Sequence, residues 1–141
     1  MAIILDTSVS LAWLMPGSTV AQEAIADRVL AYLETDPLGV AVVPSLWWLE
    51  WTNAISRAQR GSLINPQQIA DYTELIAALA LDTKTIGADE VLTRVLPLAI
   101  SAGLTTYDAT YLDLAIQLKT PIATADAALR EAAIKNDVTL F

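Results

Sequence analysis

Two short stretches of unbroken apolar residues, AIIL (2–5) and VAVV (40–43), stand between longer segments whose apolar positions recur every three to four residues. Four apolar side chains in a row place both faces of a strand against protein, as happens when helices cover a parallel sheet on both sides. The segment 20–34 carries a helical stripe at Ala21, Ala24, Ile25, Leu30 and Leu33, ended by DPLG, and VSLAWLM (9–15) predicts a short helix stopped by PGS. SLWWLEWTNAISRAQRG (45–61) predicts a helix with Ser45 as its N-cap and Gly61 past its end. NPQQIADYTELIAALA (65–80) opens with Asn65 at the cap and Pro66 at the first helical position.

The second half of the chain continues the alternation. LDTKTI (81–86) predicts a short strand, and ADEVLTRVLPLAISAG (88–103) a helix that Pro97 kinks or divides in two. TTYDATYLDLAIQLK (105–119) predicts an amphipathic helix, PIATAD (121–126) a strand, AALREAAIKN (127–136) a helix and VTLF (138–141) a closing strand. Strands alternating with helices predict a three-layer α/β/α architecture around a mostly parallel sheet, with residues 1–141 forming one domain. Sites in such sheets lie at the carboxyl ends of strands, where Asp6 and Asp126 both fall.

Composition narrows the chemistry. A 55% hydrophobic content is high, yet no apolar run approaches the roughly 20 residues of a membrane span. The N-terminal stretch has neither a basic segment ahead of its apolar run nor a small-residue cleavage site, so the expectation is a cytoplasmic protein away from membranes. There is no cysteine and no histidine, which excludes thiolate nucleophiles, serine–histidine triads and imidazole or thiolate metal sites. Catalysis would fall to carboxylates, hydroxyls, Lys or Arg, with Mg²⁺ or Mn²⁺ as the natural cofactor. The net charge of −8 argues against broad adhesion to nucleic acid and favours a cationic partner.

Four acids draw attention. Taken singly, Asp6 and Asp126 read as helix N-caps, each worth about 1 kcal/mol, and Asp108 stands three residues after Thr105 at a capping-box spacing. Glu50 is harder to place as a free surface charge. Helical spacing puts Trp47, Trp51, Ala54 and Ile55 on one stripe and Leu46, Glu50, Asn53 and Arg57 on the next. Taken together, the topology can bring all four into one pocket, where they repel one another unless a cation intervenes. Two hard cations about 4 Å apart can clamp a phosphodiester without any histidine.

ILDTS, the stretch from Pro44 through WLEWTNA, TTYDATYLDLA and TAD, in this order, resemble the PIN domain and more closely its toxin branch, the VapC ribonucleases of bacterial toxin–antitoxin pairs. That resemblance implies a metal-dependent endoribonuclease using one or two Mg²⁺ or Mn²⁺ ions. It carries the acidic quartet onto Asp6, Glu50, Asp108 and Asp126, as catalytic and metal-holding residues, with Ser8 and Thr124 as small polar groups near the metals. It also implies in-line hydrolysis of RNA to a 3′-hydroxyl and a 5′-phosphate, a homodimer, and a small antitoxin that covers the acidic pocket.

Neighbouring residues take supporting roles. Asn53 is either a hydrogen-bonding companion to Glu50 or a helix residue facing solvent, Arg57 and Arg60 are candidates for substrate phosphate, and Arg130 is expected to pair with Asp126 inside one helix. Asp113 is set aside, because five residues past Asp108 it is turned by about 140° on the helix. Trp47, Trp48 and Trp51 exceed what one helix face can bury completely, so either part of them, with Trp13, forms an interface or all four belong to the core.

Other aspartate enzymes fit less well. Ser8 occupies the place where a haloacid dehalogenase-type phosphatase needs a second Asp, and no glycine-rich loop follows the first strand. The remaining alternative is a catalytically silent PIN-like module that binds protein.

Overall fold

The computed structural model describes residues 1–15 and 17–141. Its centre is a four-stranded, all-parallel sheet of order β3-β2-β1-β4, formed by β1 (Ala2–Leu5), β2 (Val40–Pro44), β3 (Leu81–Lys84) and β4 (Ile122–Ala123). Helices cover both faces, giving the three-layer α/β/α arrangement. Ile3, Ile4 and Leu5 of β1, Ala41, Val42 and Val43 of β2, and Ile122 and Ala123 of β4 are all buried, which is why these strands read as unbroken apolar runs. Register follows directly, with Ile3 opposite Ala41 and Leu5 opposite Ala123.

The chain leaves β1 toward β2 and β3 and places β4 on the other side. The strand order therefore reverses between β1 and β4, and the crevice beyond their carboxyl ends is where open parallel sheets hold ligands. Asp6 follows β1 directly, and Asp126 lies three residues beyond β4.

The helices are α1 (Thr7–Leu11), α2 (Val20–Thr35), α3 (Ser45–Arg60), α4 (Pro66–Ala78), α5 (Ala88–Glu90), α6 (Leu96–Ala102), α7 (Thr106–Leu118) and α8 (Ala127–Lys135). Capping boxes open α2 at Thr19–Gln22 and α4 at Asn65–Gln68. α7 packs against β1, β2 and β4, while α1 touches α2 and α3.

Several elements differ from the sequence reading. The first helix starts at Thr7 and ends at Leu11, because Asp6 already supplies an extended backbone at the N-cap; the proposed stop at Pro16 lies outside the described residues. Pro44 rather than Ser45 is the N-cap of α3, since Ser45 has entered the helix and its hydroxyl turns to Lys84 O at 3.4 Å. Around Pro97 the chain does not break: a π-helical turn (Val91–Val95) joins α5 to α6, the wider turn coming just before a residue without an N–H. The closing strand shrinks to one parallel bridge, Ile122 to Leu140.

The tryptophans are largely core. Trp47 is fully buried, stacked on Trp51 with ring centroids 6.0 Å apart and edge-on to Trp48 at 4.9 Å. Trp48 is half-buried and donates to Thr83 Oγ1 at 2.9 Å; Trp13, also half-buried, donates to Ala26 O at 2.8 Å. α3 thus presents its indoles mainly inward, and the expected interface cluster reduces to the outer parts of Trp48 and Trp13.

Candidate active site

Asp6, Thr7, Ser8, Glu50, Asn53, Arg57, Asp108 and Asp126 line one cleft of about 340 Å³, with Leu11 and Ala54 between them. Each carboxylate arrives on a different element. Asp6 sits at the β1–α1 junction, Glu50 in the second turn of α3, Asp108 in the first turn of α7 and Asp126 at the start of α8.

Asp6 stands at the N-cap position of α1, but its side chain makes no capping bond. Its Oδ2 instead accepts from Ser8 Oγ at 2.6 Å and from Thr124 Oγ1 at 2.7 Å. Both hydroxyls also accept, Ser8 from the Ala125 N–H at 3.1 Å and Thr124 from the Asp126 N–H at 3.1 Å. Two short relays therefore fix the β4–α8 loop to Asp6. Arg130 adds a third tie by donating to the Thr124 carbonyl at 3.0 Å, so the expected Arg130–Asp126 pair is replaced by a bond to the loop itself. Burial pushes the Asp6 carboxyl up to about 6, against the two hydroxyls that lower it, and the charges of Asp108 and Glu50 raise it further.

Glu50 is held from the other side. Tyr111, fully buried in α7, donates its phenol to Glu50 Oε1 at 2.5 Å. Thr7 Oγ1 lies 3.3 Å from the same oxygen and 2.8 Å from the Tyr111 hydroxyl. Burial raises the Glu50 carboxyl, the Tyr111 and Thr7 bonds lower it, and the charge of Asp108 raises it. Burial, and then the bond to Glu50, raise the phenol of Tyr111 far above its ordinary range, which keeps it a proton donor.

Asp108 and Asp126 complete the cleft. The Asp108 N–H donates to Thr105 Oγ1 at 3.1 Å, which is half of a capping box and leaves the Asp108 carboxylate for the cleft. Burial raises the Asp108 carboxyl, followed by the charge of Asp126. Asp126 does cap its helix, its Oδ1 accepting from the Leu129 N–H at 2.8 Å. Among the described residues, no three acids come close enough together to form a ready-made metal cage.

Asn53 and Arg57 are exposed at the cleft edge, and Arg57 makes no ion pair among the described residues. Arg60, at the end of α3, lies outside the cleft lining. Asp113 is buried and engaged elsewhere, its carboxylate accepting from Arg94 Nε at 3.1 Å and from a terminal nitrogen at 3.2 Å. Thr7 and Tyr111 went unnoticed in the sequence, where Tyr111 reads as one more apolar helix residue. The available signal was its spacing, three residues after Asp108 and so on the same side of the helix.

Comparison with known proteins agrees with this architecture. The crystal structure of PAE2754 from Pyrobaculum aerophilum superposes with a TM-score of 0.66 at 21% identity, covering 94% of this chain and 79% of that one, which is a likeness of fold. No curated protein sequence matches the chain significantly. The family model of the PIN domain matches residues 3–135, and the chain belongs to the PIN domain family.

Proposed function

We propose that this protein is a divalent-metal-dependent endoribonuclease and the toxin of a type II toxin–antitoxin pair. The observation that carries the reading is one-sided hydrogen bonding. On Asp6 both protein donors converge on Oδ2, and on Glu50 both converge on Oε1. Each acid is thereby fixed in place with its second oxygen free of those bonds, in a cleft with two further acids and, among the described residues, Arg57 as its one basic lining residue. Raised carboxyl affinities for protons at Asp6, Glu50 and Asp108 mark a site built to receive positive charge.

The donor set fits a hard cation. All of the candidate ligands are oxygens, which suits a Mg²⁺- or Mn²⁺-class ion that keeps several waters and takes one or two carboxylates directly. Such ions, one or two of them, supply charge neutralisation at a phosphate and a more acidic water. Asp6, Glu50, Asp108 and Asp126 hold them. Ser8 and Thr124 fix the Asp6 carboxylate, Asn53 lies beside Glu50 at the cleft rim, and Arg57 meets the RNA phosphate, with Arg60 further along α3. PIN domains are generally nucleases, which supports the reaction class.

The toxin role rests on the motif resemblance and on the cleft's acidity, which suits a basic side chain of a small antitoxin. The homodimer draws support from Leu92, Leu96 and Ile100, exposed and four residues apart along the π turn and α6. A silent, protein-binding module is the competing reading, favoured by the net charge of −8.

Calorimetric titration of Mn²⁺ into the wild type, Asp6→Asn and Asp108→Asn, with cleavage of a mixed RNA pool and end-group analysis, separates the two. The nuclease reading expects metal binding and 5′-phosphate products from the wild type alone. A wild type that takes up no metal and leaves RNA intact establishes the silent module.

A further inference from the structure

We propose that Tyr111, together with Thr7, is a positioning residue that sets the Glu50 carboxylate in register with the acids on either side of it. For its role in catalysis this rests on the nuclease reading; for the geometry it does not.

Glu50 has three side-chain torsions and sits half-buried on α3 beside Asp108, whose charge repels it. Left alone it would turn outward among its rotamers. Tyr111 has a rigid ring, is fully buried, and rides on α7, which packs against three strands. Its single hydroxyl proton goes to Glu50 Oε1 at 2.5 Å. Thr7, buried at the start of α1, stands on the other side as the third corner of a triangle and shares its one hydroxyl proton between Glu50 Oε1 at 3.3 Å and the Tyr111 oxygen at 2.8 Å.

The placement of the two donors is what gives the triangle meaning. Thr7 is the residue after Asp6, and Tyr111 lies one helical turn beyond Asp108 on α7. Oε1 of Glu50 is thus bonded at once to the backbone segment that carries Asp6 and to the helix that carries Asp108. Three acids that repel are held at fixed separations by hydroxyls on neighbouring residues. A phenol that merely packed in the core would need an acceptor, but any backbone carbonyl would serve. Here it takes the one carboxylate of α3 that lines the cleft.

The test is Tyr111→Phe, which keeps the ring and removes the hydroxyl, and Thr7→Val as a second variant should the first fail to fold. Crystal structures without metal report where the Glu50 carboxylate goes. Mn²⁺ calorimetry reports affinity, and steady-state cleavage separates kcat from KM. The proposal expects Glu50 to leave its wild-type position, Mn²⁺ affinity to fall about 10- to 100-fold, and kcat to fall with KM for RNA unchanged. In a Glu50→Gln background, Tyr111→Phe should add nothing further. Glu50 found in its wild-type position in both variants overturns the proposal, as does an unchanged kcat in an active enzyme. Should the wild type cut no RNA, the nuclease reading fails, while displacement of Glu50 still decides whether Tyr111 and Thr7 position it.

Discussion

Replacing Asp6 by Asn should make the metal-free protein more stable while removing its ability to bind metal. The Asp6 carboxyl is raised from 3.8 to about 6 by burial and by the charges of Asp108 and Glu50. A rise of about two units is worth about 3 kcal/mol against the charged form. Because the folded state holds the proton more tightly, that penalty is absent below about pH 4, grows as pH rises through 6 and is fully present at pH 8. Asparagine can keep its carbonyl oxygen where Oδ2 accepts from Ser8 and Thr124, and place its amide at the other position. The hydrogen bonds survive and the charge goes.

A gain of about 1–3 kcal/mol at pH 8 is expected, which for a chain of this size is a rise of roughly 3–10 °C in melting temperature. Thermal melts of both proteins in EDTA, from pH 4 to pH 8, measure it. The two curves should converge at pH 4, separate between pH 4 and pH 6 and keep a constant gap above about pH 7. Added Mn²⁺ should then raise the wild type and leave the variant unmoved, since only binding to the folded state stabilises. An Asp6→Asn protein that melts below the wild type in EDTA at pH 8 would refute the reasoning, as would a difference of the same size at both ends of the range.

Other consequences are open to measurement. Thr124→Val removes a donor to Asp6 and the acceptor of the Asp126 N–H; the pH at which Mn²⁺ binding reaches half its maximum should move upward, with a stability loss of about 1–3 kcal/mol in urea titrations. Arg57→Ala should raise KM for RNA several-fold with kcat little changed, and should flatten the slope of log affinity against log salt by roughly 0.7 if it meets one phosphate. Trp47→Ala, in the fully buried stack with Trp51, should cost about 3–5 kcal/mol by denaturant unfolding. Leu96→Glu on the exposed apolar strip should shift the molar mass measured by light scattering toward the monomer, with Mn²⁺ binding retained.

The sequence made some of these features legible and hid others for identifiable reasons. β1 and β2 were plain because strands covered on both faces need apolar residues at every position, and Ile3, Ile4 and Leu5 supply them. β4 was visible through IAT, although it spans two residues, and the closing VTLF contributes a single bridge, from Leu140 to Ile122. The stripe of Glu50, Asn53 and Arg57 followed from helical periodicity and does converge on the cleft. What could not be read was the partner of each polar atom. Asp6 looked like a cap and caps nothing, Arg130 looked like a partner for Asp126 and holds a carbonyl, and the hydroxyl of Tyr111 meets an acid 61 positions away. Spacing assigns side chains to faces; long-range contacts then choose which atoms meet.

The order of the sheet also has a consequence for the protein as it is being made. The strand that emerges first from the ribosome is interior, and one of its two neighbours, β4, is synthesised about 120 residues later. At ordinary elongation rates that interval is roughly 6 to 24 seconds. Throughout it, the β4–α8 loop that is tied to Asp6 through Ser8 and Thr124 does not yet exist. A growing chain carries Asp6, Glu50 and then Asp108 before Thr124 and Asp126 are made, so the cleft and the ties that fix Asp6 are assembled together, and last.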